Sequence, residues 1–242
     1  MSKSKSEIGV IGLGEMGQNL VLNLADHGFS VVVYNRTREK TRGFMDTFSG
    51  SFPIRPAYQL SELTQKLRKP RAVLLMVSAG QAVDALIEEI LPFLEPGDLL
   101  IDGGNSLYRD TDRRTNRLKK KGLLYLGLGI SGGGRGARYG PSLMPGGSPS
   151  AYERIRPYLE GIAAKVDGSP CVTYLGPASS GHYVKMVHNG IEYGLMQLIA
   201  EAYQLLKKGL GLSNDELSSI FRVWNENELQ GYLIEITSRI FL

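Results

Sequence analysis

A short apolar run leads directly into a glycine motif near the start of the chain. The run is Ile8-Gly9-Val10-Ile11, and the residues that follow it have the spacing GxGxxG. An amphipathic segment, Met16 to His27, and a β-branched run, Ser30 to Tyr34, come next. Strand, glycine turn, helix and strand form a dinucleotide-binding unit, because the turn and the helix N-terminus direct backbone N–H groups at a pyrophosphate. The candidate cofactor-binding residues of the motif are Gly12, Leu13, Gly14, Glu15, Met16 and Gly17.

The residues after the second strand indicate which dinucleotide binds. An enzyme that uses NAD carries Asp or Glu there, where the carboxylate accepts hydrogen bonds from the ribose 2′-hydroxyl. This chain has Asn35, Arg36 and Thr37 instead, with Arg38 and Lys40 close behind. A guanidinium can pair with a 2′-phosphate through two hydrogen bonds, whereas a carboxylate would repel it. The sequence therefore predicts NADP as the cofactor.

Apolar runs and helical segments continue to alternate along the chain. Ala72 to Val77 is a continuous apolar run of the kind that is buried on both faces of a parallel sheet. Gln81 to Leu94 has the pattern of a helix, and Asp98 to Ile101 and Leu123 to Leu128 have the pattern of strands. This order predicts a doubly wound, Rossmann-type α/β sheet.

Three polar loops follow strands of this predicted sheet. Ligands bind beyond the carboxyl ends of the strands in doubly wound folds, so we expect the loops to meet at one crevice. Ordinary turn chemistry explains each loop equally well when it is taken alone. The loops are Val77 to Ala79, Gly104 to Ser106, and Ser131 to Gly133.

The segment before the last predicted helix has weaker patterns. Arg138 to Gly147 is rich in turn residues and shows little periodicity. Tyr152 to Leu159 reads as a helix, and Ala164 to Val166 and Cys171 to Tyr174 read as short strands. Because Gly176-Pro177 interrupts the chain, we place a domain boundary near residue 178, with a dinucleotide-binding domain over residues 1–178 and a helical part over residues 179–242.

A long helix is predicted from Ser180 to Lys207, where proline is absent and apolar residues recur at steps of three and four. A helix turns about 100° per residue, so Lys185 and Glu192 share one face, about 10.5 Å apart along the axis. An amine and a carboxylate at this spacing can flank a small molecule. A solvated helix face with a hydrogen-bonded histidine is the alternative interpretation. The same face also carries His188, Asn189 and Tyr193.

The charge distribution argues against nucleic-acid binding. The formal net charge is only +4, and the most basic block, Arg109 to Lys121, reads as a solvated helix that ends at Gly122. Tyr108 is the one aromatic residue beside this block, so stacking platforms for bases are not indicated.

Other features of the sequence bound the class of protein. The longest apolar runs are too short to cross a bilayer, and the N-terminal segment lacks an apolar signal region, so we expect a soluble, cytoplasmic protein. A single cysteine, Cys171, cannot form an internal disulfide. The histidines and this cysteine lack metal-ligand spacing, and we expect no metal site.

Several of these segments together resemble the decarboxylating 6-phosphogluconate dehydrogenases, and the resemblance covers nearly the whole chain. It implies a Rossmann-type domain, the start of an all-helical domain, and a homodimer. It also implies NADP-dependent oxidative decarboxylation of 6-phosphogluconate to ribulose 5-phosphate and carbon dioxide, in the pentose phosphate pathway and gluconate utilization. The segments that carry the resemblance are Gly12 to Leu20, Asn35 to Thr37, Ile101 to Ser106, Ile130 to Gly133, Gly136 to Gly147, and Lys185 to Gly194.

Carried over by matching position, the resemblance assigns roles to individual residues. Lys185 would be the general base and Glu192 the general acid. The residues implied for the substrate are Asn105, Ser131, Gly132, Gly133, His188, Asn189 and Tyr193. Those implied for NADP are the glycine motif, Asn35, Arg36, Thr37, Val77, Ser78, Ala79 and Asn105.

The chain departs from the family pattern at a few positions near the predicted site. Gly134-Arg135 stands where the family has two glutamates, Leu195 where it has an aspartate, and Ser78 where it has a lysine. The family also continues into a large helical domain that this chain lacks. We therefore expect NADP binding with impaired turnover. The alternatives are a related β-hydroxyacid dehydrogenase for a smaller substrate, and a non-catalytic fragment that binds NADP and self-associates.

Overall fold

The computed structural model describes residues 5–48, 50 and 52–241. The chain divides into two compact units, Met1–Met186 and Val187–Leu242. None of the helices in the described ranges combines the length and the apolar character that a bilayer crossing requires.

The first unit is built on a sheet of seven strands in the order β3-β2-β1-β4-β5-β6-β7. Strands β1 to β6 pair in parallel, and β7 runs antiparallel to β6 at the edge. A two-stranded ribbon, β8 and β9, lies apart from this sheet. The strands are β1 (Ile8–Ile11), β2 (Val31–Tyr34), β3 (Ile54–Ala57), β4 (Ala72–Leu75), β5 (Leu99–Asp102), β6 (Leu124–Ser131), β7 (Ser142–Gly147), β8 (Lys165–Val166) and β9 (Ser169–Pro170).

Helices cover both faces of the sheet, which confirms the predicted doubly wound fold. Successive strand residues point to opposite faces, so Val10 and Leu74 join one hydrophobic cluster while Ile11 and Leu75 join the other. The helices of the first unit are α1 (Glu15–Asp26), α2 (Arg38–Phe48), α3 (Leu60–Lys66), α4 (Gln81–Ile90), α5 (Tyr108–Lys119), α6 (Gly133–Tyr139) and α7 (Pro149–Ile162), with a 3₁₀ turn at Leu91–Phe93.

Three local predictions in the first unit are wrong. The turn-rich segment contains the end of α6 and all of β7, whose Pro145 and glycines hide its strand character from a propensity argument. Cys171 to Tyr174 is not a strand, and only Val172 bridges to Leu143. The basic helix α5 is not wholly solvated, because Arg114 is 1% exposed.

The long helix α8 (Ser180–Gln204) runs through the division between the units, and the turn widens to a π-helix at Leu205–Gly209. The second unit also contains α9 (Asn214–Asn225) and α10 (Tyr232–Ile240). A capping box closes the start of α9, where the Ser213 and Glu216 side chains each bond the other's backbone N–H. The small core of the second unit centres on Phe221, whose ring contacts the rings of Trp224 and Phe241.

Candidate active site

Glycine is needed for a different reason at each of the three positions of the motif. Gly12 has a φ of +103°, and a Cβ there would collide with the carbonyl oxygen of Met76. A Cβ on Gly17 would likewise collide with the Gly12 carbonyl oxygen. Gly14 is different, because no described atom lies within 4 Å of the position its Cβ would take. The protein's own packing requires Gly12 and Gly17, while Gly14 keeps open the space at the N-terminus of α1.

Asn35 fixes the end of β2 against the glycine turn. Its Oδ1 accepts a hydrogen bond from the Leu13 backbone N–H at 3.0 Å, and its Nδ2 donates to the Thr37 carbonyl at 3.1 Å. The Asn35 side chain is therefore engaged within the protein. Arg36 and Thr37 are exposed, and Arg36 forms no ion pair with any other residue in the described ranges.

An open cleft of about 360 Å³ lies beyond the carboxyl ends of β1, β4 and β5. It brings together most of the residues predicted to hold the cofactor, and it adds Met76, Gly103, Gly104 and Ile130. The predicted residues that do not line it are Gly12, Leu13, Asn35, Arg36 and Thr37. The predicted residues along the cleft are Gly14, Glu15, Met16, Gly17, Val77, Ser78, Ala79 and Asn105.

A fully buried carboxylate, Asp102 at the end of β5, organises the loop that carries Asn105. Its Oδ2 accepts hydrogen bonds from the Ser106 hydroxyl and the Tyr125 hydroxyl, each at 2.7 Å. Its Oδ1 accepts one from the Gly104 backbone N–H at 3.1 Å. Burial, reinforced by the neighbouring Asp102 charge, raises the pKa of Tyr125, so the phenol stays a proton donor.

Arg114 extends this network to a second loop. Its Nη1 donates to the Ser106 hydroxyl at 3.1 Å, and its Nη2 donates to the Gly80 carbonyl at 2.9 Å. The guanidinium also pairs with Asp84 and with Asp102. Hydrogen bonding to Arg114 holds the pKa of the Asp84 carboxyl far below its ordinary value. One buried cation thus ties together the loops at the ends of β4 and β5.

The first turn of α8 carries a second buried polar group, His182. Its Nε2 lies 3.0 Å from the Asp102 carbonyl oxygen, and its Nδ1 lies 2.6 Å from the Thr111 hydroxyl. Burial lowers the pKa of His182, which favours the neutral ring. A carbonyl can only accept, so the neutral ring carries its proton on Nε2 and accepts from Thr111 at Nδ1.

Glycines allow α8 to approach the sheet closely; we call Gly127, Gly129, Gly146 and Gly181 the glycine seat. A Cβ on Gly181 would collide with the carbonyl oxygens of Gly127 and Met144, and one on Gly146 would collide with the Gly181 backbone nitrogen. A Cβ on Gly129 would stand 2.6 Å from the Lys185 Cβ. Lys185, 7% exposed, is held directly against β6.

The glycine loop after β6 forms the start of α6. Gly132 and Gly133 have φ values of +122° and +60°, a region that L side chains rarely adopt. Ser131 pairs with Ser142 at the end of β6. A Cβ on Gly134 would collide with the Glu15 carboxylate. The Glu15 side chain is exposed, so a residue with a Cβ at position 134 would require only that this side chain move.

The remaining predicted residues belong to the second unit. Along α8, the His188 Nδ1 lies 3.3 Å from the Asn189 Oδ1 and 3.7 Å from a Glu192 carboxylate oxygen. Tyr193 is exposed. The structure thus brings His188, Asn189 and Glu192 together on the helix. The described part of the chain contains no group of three His, Cys, Asp or Glu side chains placed to hold a metal ion.

Comparison with known proteins decides the family. Residues 7–176 match the family model described as the NAD binding domain of 6-phosphogluconate dehydrogenase, and residues 181–242 match that of its C-terminal domain. The chain belongs to the 6-phosphogluconate dehydrogenase family. It is 56% identical over 238 residues to the NADP(+)-dependent, decarboxylating 6-phosphogluconate dehydrogenase of Bacillus subtilis (strain 168). This match covers 98% of this chain and 50% of that protein.

Solved structures of relatives agree. A Plasmodium falciparum 6-phosphogluconate dehydrogenase, solved in its apo form and with its cofactor NADP+ or its substrate 6-phosphogluconate, superposes with a TM-score of 0.92 at 51% identity. The match covers 97% of this chain and 50% of that one. A Mycobacterium tuberculosis 3-hydroxyisobutyrate dehydrogenase shares the fold, with a TM-score of 0.74 at 24% identity over 96% of this chain and 73% of that one. The chain spans about half the length of the curated 6-phosphogluconate dehydrogenases it matches.

The buried network and the glycine seat of this 6-phosphogluconate dehydrogenase family member are not among the features predicted from the sequence. The basic composition of Arg109 to Lys121 predicts a solvated helix, yet Arg114 is buried, and His182 forms buried hydrogen bonds although it lacks metal-ligand spacing. Two features of the sequence do point to the glycine seat. Gly127 and Gly129 alternate along β6, so both face one side of the sheet, and His182 stands three residues before Lys185 on one helix.

Proposed function

We propose that this chain binds NADP in the cleft at the N-terminus of α1. The observation that carries the proposal is the unfilled space at Gly14, a position where the chain's own packing does not require glycine. The Leu13-to-Glu15 turn would receive the pyrophosphate, and Arg36 with Thr37 would bind the 2′-phosphate. The identity to an NADP(+)-dependent relative supports the choice of dinucleotide.

We further propose that the residues of α8 serve the oxidative decarboxylation of 6-phosphogluconate in the protein to which this sequence belongs. Bound NADP supplies the hydride acceptor for the C3 carbon. The Lys185 amine takes the proton of the C3 hydroxyl as the hydride leaves, and the resulting ammonium then donates a hydrogen bond to the new ketone. Lysine suits this role because its amine can accept a proton from the substrate oxygen and return it to the same oxygen.

The second half of the reaction needs an acid. The 3-keto acid loses carbon dioxide because the ketone accepts the electron pair of the breaking C–C bond, and the Lys185 ammonium would return its proton to the ketone oxygen, which leaves an enediol. Glu192 would then protonate the carbon that becomes C1 of ribulose 5-phosphate, while the Lys185 amine takes the proton from the hydroxyl that becomes the product ketone. The position of His188 supports this assignment, because its Nδ1 lies 3.7 Å from a Glu192 carboxylate oxygen and both side chains therefore share one face of α8. Asn105, Ser131, Gly132, Gly133, Asn189 and Tyr193 are the other proposed substrate residues.

A variant that fills the space at Gly14 tests the cofactor site. Gly14→Val should weaken NADP binding by roughly ten- to hundred-fold through overpacking, measured by calorimetry, with an unchanged melting temperature. Gly43→Val is the matched control, because Gly43 lies in α2 and its Cβ would also meet open space. Equal NADP affinity in the Gly14→Val variant would refute the site.

Turnover is a separate test. The 242-residue chain is incubated with NADP and 6-phosphogluconate, and NADPH absorbance and released carbon dioxide are followed. We expect NADP binding with little or no turnover, since the chain spans about half of its relatives. In a full-length family member, the substitution equivalent to Lys185→Ala should abolish turnover and preserve NADP binding. Smaller substrates such as 3-hydroxyisobutyrate form the comparison panel for the related-dehydrogenase alternative.

A non-catalytic, self-associating NADP-binding chain is the second candidate function. The observation that favours it is the exposure of apolar side chains in the second unit, including Ile191, Leu198 and Leu205, each more than 60% exposed. A homodimer would bury such a surface. We also propose a cytoplasmic location, which the free thiol of Cys171 supports, because thiols stay reduced in that compartment.

A further inference from the structure

The proposed proton transfers use Lys185 but leave the buried polar groups around it without a role. His182 and Thr111 are both almost completely buried, and both are neutral donors or acceptors placed next to β6. Burying polar groups is unfavourable unless their hydrogen bonds are made, and here each has a partner. Apolar residues of similar size would fill the same space, so the chemistry of these bonds calls for an explanation.

Asp102 accepts hydrogen bonds through both its side-chain carboxylate and its backbone carbonyl. Its carboxylate holds the Gly104 backbone and the Ser106 hydroxyl, which sets the conformation of the loop around Asn105. Its carbonyl oxygen accepts the hydrogen bond from the His182 Nε2. One residue of β5 therefore connects the Asn105 loop to the first turn of α8.

The glycine seat brings α8 close to the strands but provides no side chain to hold it in register. His182 packs over Gly127, where a Cβ would stand 2.8 Å from the His182 Nδ1, and Lys185 packs over Gly129. His182 and Lys185 are three residues apart, about 4.5 Å along a helix, and Gly127 and Gly129 are two residues apart, about 6.6 Å along a strand. These two contacts fix both the position and the rotation of the first turns of α8 on β6. The hydrogen bonds of His182 make the first of the two contacts specific.

We propose that His182 is a positioning residue, whose bonds to the Asp102 carbonyl and the Thr111 hydroxyl hold Lys185 in a fixed place relative to the Asn105 loop. The role assigned to Lys185 rests on the proposed function. The positioning itself depends only on contacts within the first unit.

Chemical labelling of Lys185 tests the proposal. An amine-specific reagent is applied to the 242-residue chain without cofactor or substrate, and mass spectrometry gives the labelling rate of Lys185 relative to that of exposed Lys119. His182→Ala should raise this ratio about ten-fold, the effect expected when one buried hydrogen bond is lost. His182→Gln should restore the ratio to within about two-fold, because its amide can donate to the Asp102 carbonyl.

His27→Ala is the matched control, since His27 also contacts a backbone carbonyl at a helix end but is exposed. Its ratio should equal that of the unmodified chain. A purely space-filling His182 would give equal increases for Lys185 and Lys119, or no rescue by glutamine, and either result would overturn the proposal. Thr111→Val supplies a second variant if His182→Ala does not fold, and it should raise the ratio by a smaller factor.

A spectroscopic signature gives an independent reading. Nitrogen-15 spectra of the histidine rings, assigned with His182→Gln, should show His182 neutral with its proton on Nε2. A proton on Nδ1 would remove the proposed bond to Asp102 and contradict the assignment. Neither measurement involves NADP or turnover, so failure of the proposed function and failure of this proposal are distinguishable.

Discussion

Helix α8 has two different environments along its length. In its first turns, Gly181, His182 and Lys185 are buried, and the backbone rests on the glycine seat. From Val187 onward most of its apolar side chains are exposed, with Ile191 at 62% and Leu198 at 63%, although Ile199 is half-buried. The same secondary structure is thus fixed by close packing and buried hydrogen bonds in one region, and has an uncovered apolar surface in the other.

The two regions of α8 depend on different contacts for their placement. The first turns are specified by groups within residues 5–186, so the placement of Lys185 is a property of the first unit. Covering an exposed leucine or isoleucine contributes about 1.5–3 kcal/mol. The second region therefore has a surface that would gain stability from a partner of matching apolar character.

Removing the buried cation should give the largest effect. Arg114→Met leaves the fully buried Asp102 without its cationic partner, and we expect a loss of about 3–5 kcal/mol in the free energy of unfolding. Arg113→Met is the control, because Arg113 also pairs with Asp84 but its side chain is half exposed. That variant should lose about 1 kcal/mol or less in urea unfolding. Equal losses would show that burial of the network does not matter.

Two glycines of α8 compare its environments directly. Gly181→Ala would place a methyl group against the Gly127 and Met144 carbonyls, which should lower the free energy of unfolding by about 3 kcal/mol. At Gly190 no described atom lies within 4 Å of a Cβ, so Gly190→Ala should stabilise the helix by about 0.5–1 kcal/mol. Urea titrations followed by circular dichroism measure both. Similar values for the two variants would break the comparison.

The exposed region can be tested through association. Leu198→Lys should weaken self-association by at least about ten-fold, since it removes the burial of one leucine. Leu198→Met keeps the surface apolar and should associate like the unmodified chain. Analytical ultracentrifugation over a range of concentrations gives the dissociation constants. An unmodified chain that stays monomeric throughout would argue against a self-associating surface.

Acidification should produce the smallest effect. His182 has an ordinary pKa of 6.5, which burial lowers in the folded chain against the opposing influence of the Asp102 charge; the Arg114 charge also lowers it. At a pH between the lowered pKa of the folded chain and the pKa of 6.5 in the unfolded chain, the unfolded chain binds more protons than the folded chain. The free energy of unfolding therefore falls as the pH drops below 6.5. The slope should be at most about 1.4 kcal/mol per pH unit. His182→Gln should lack this contribution in urea titrations made at several pH values.

The sequence predicts the region around the glycine motif better than the region around Lys185. The glycine motif, the β-branched strands and Arg36 have local signals, because turn geometry, alternation and charge act on neighbouring residues. The network around Asp102 joins β5, α5, β6 and α8, and no local pattern reports such contacts. Pro145 and Gly146 argue against a strand by propensity, yet β7 forms because pairing with β6 and the close approach of α8 outweigh it.

Calorimetric titration of the 242-residue chain with NADP and with NAD tests the central claim most directly. NADP should bind more tightly than NAD, and Arg36→Ala should remove most of that preference, because Arg36 is the residue proposed to pair with the 2′-phosphate. NAD binding as tight as NADP binding, or tighter, would contradict the assignment of the cofactor site.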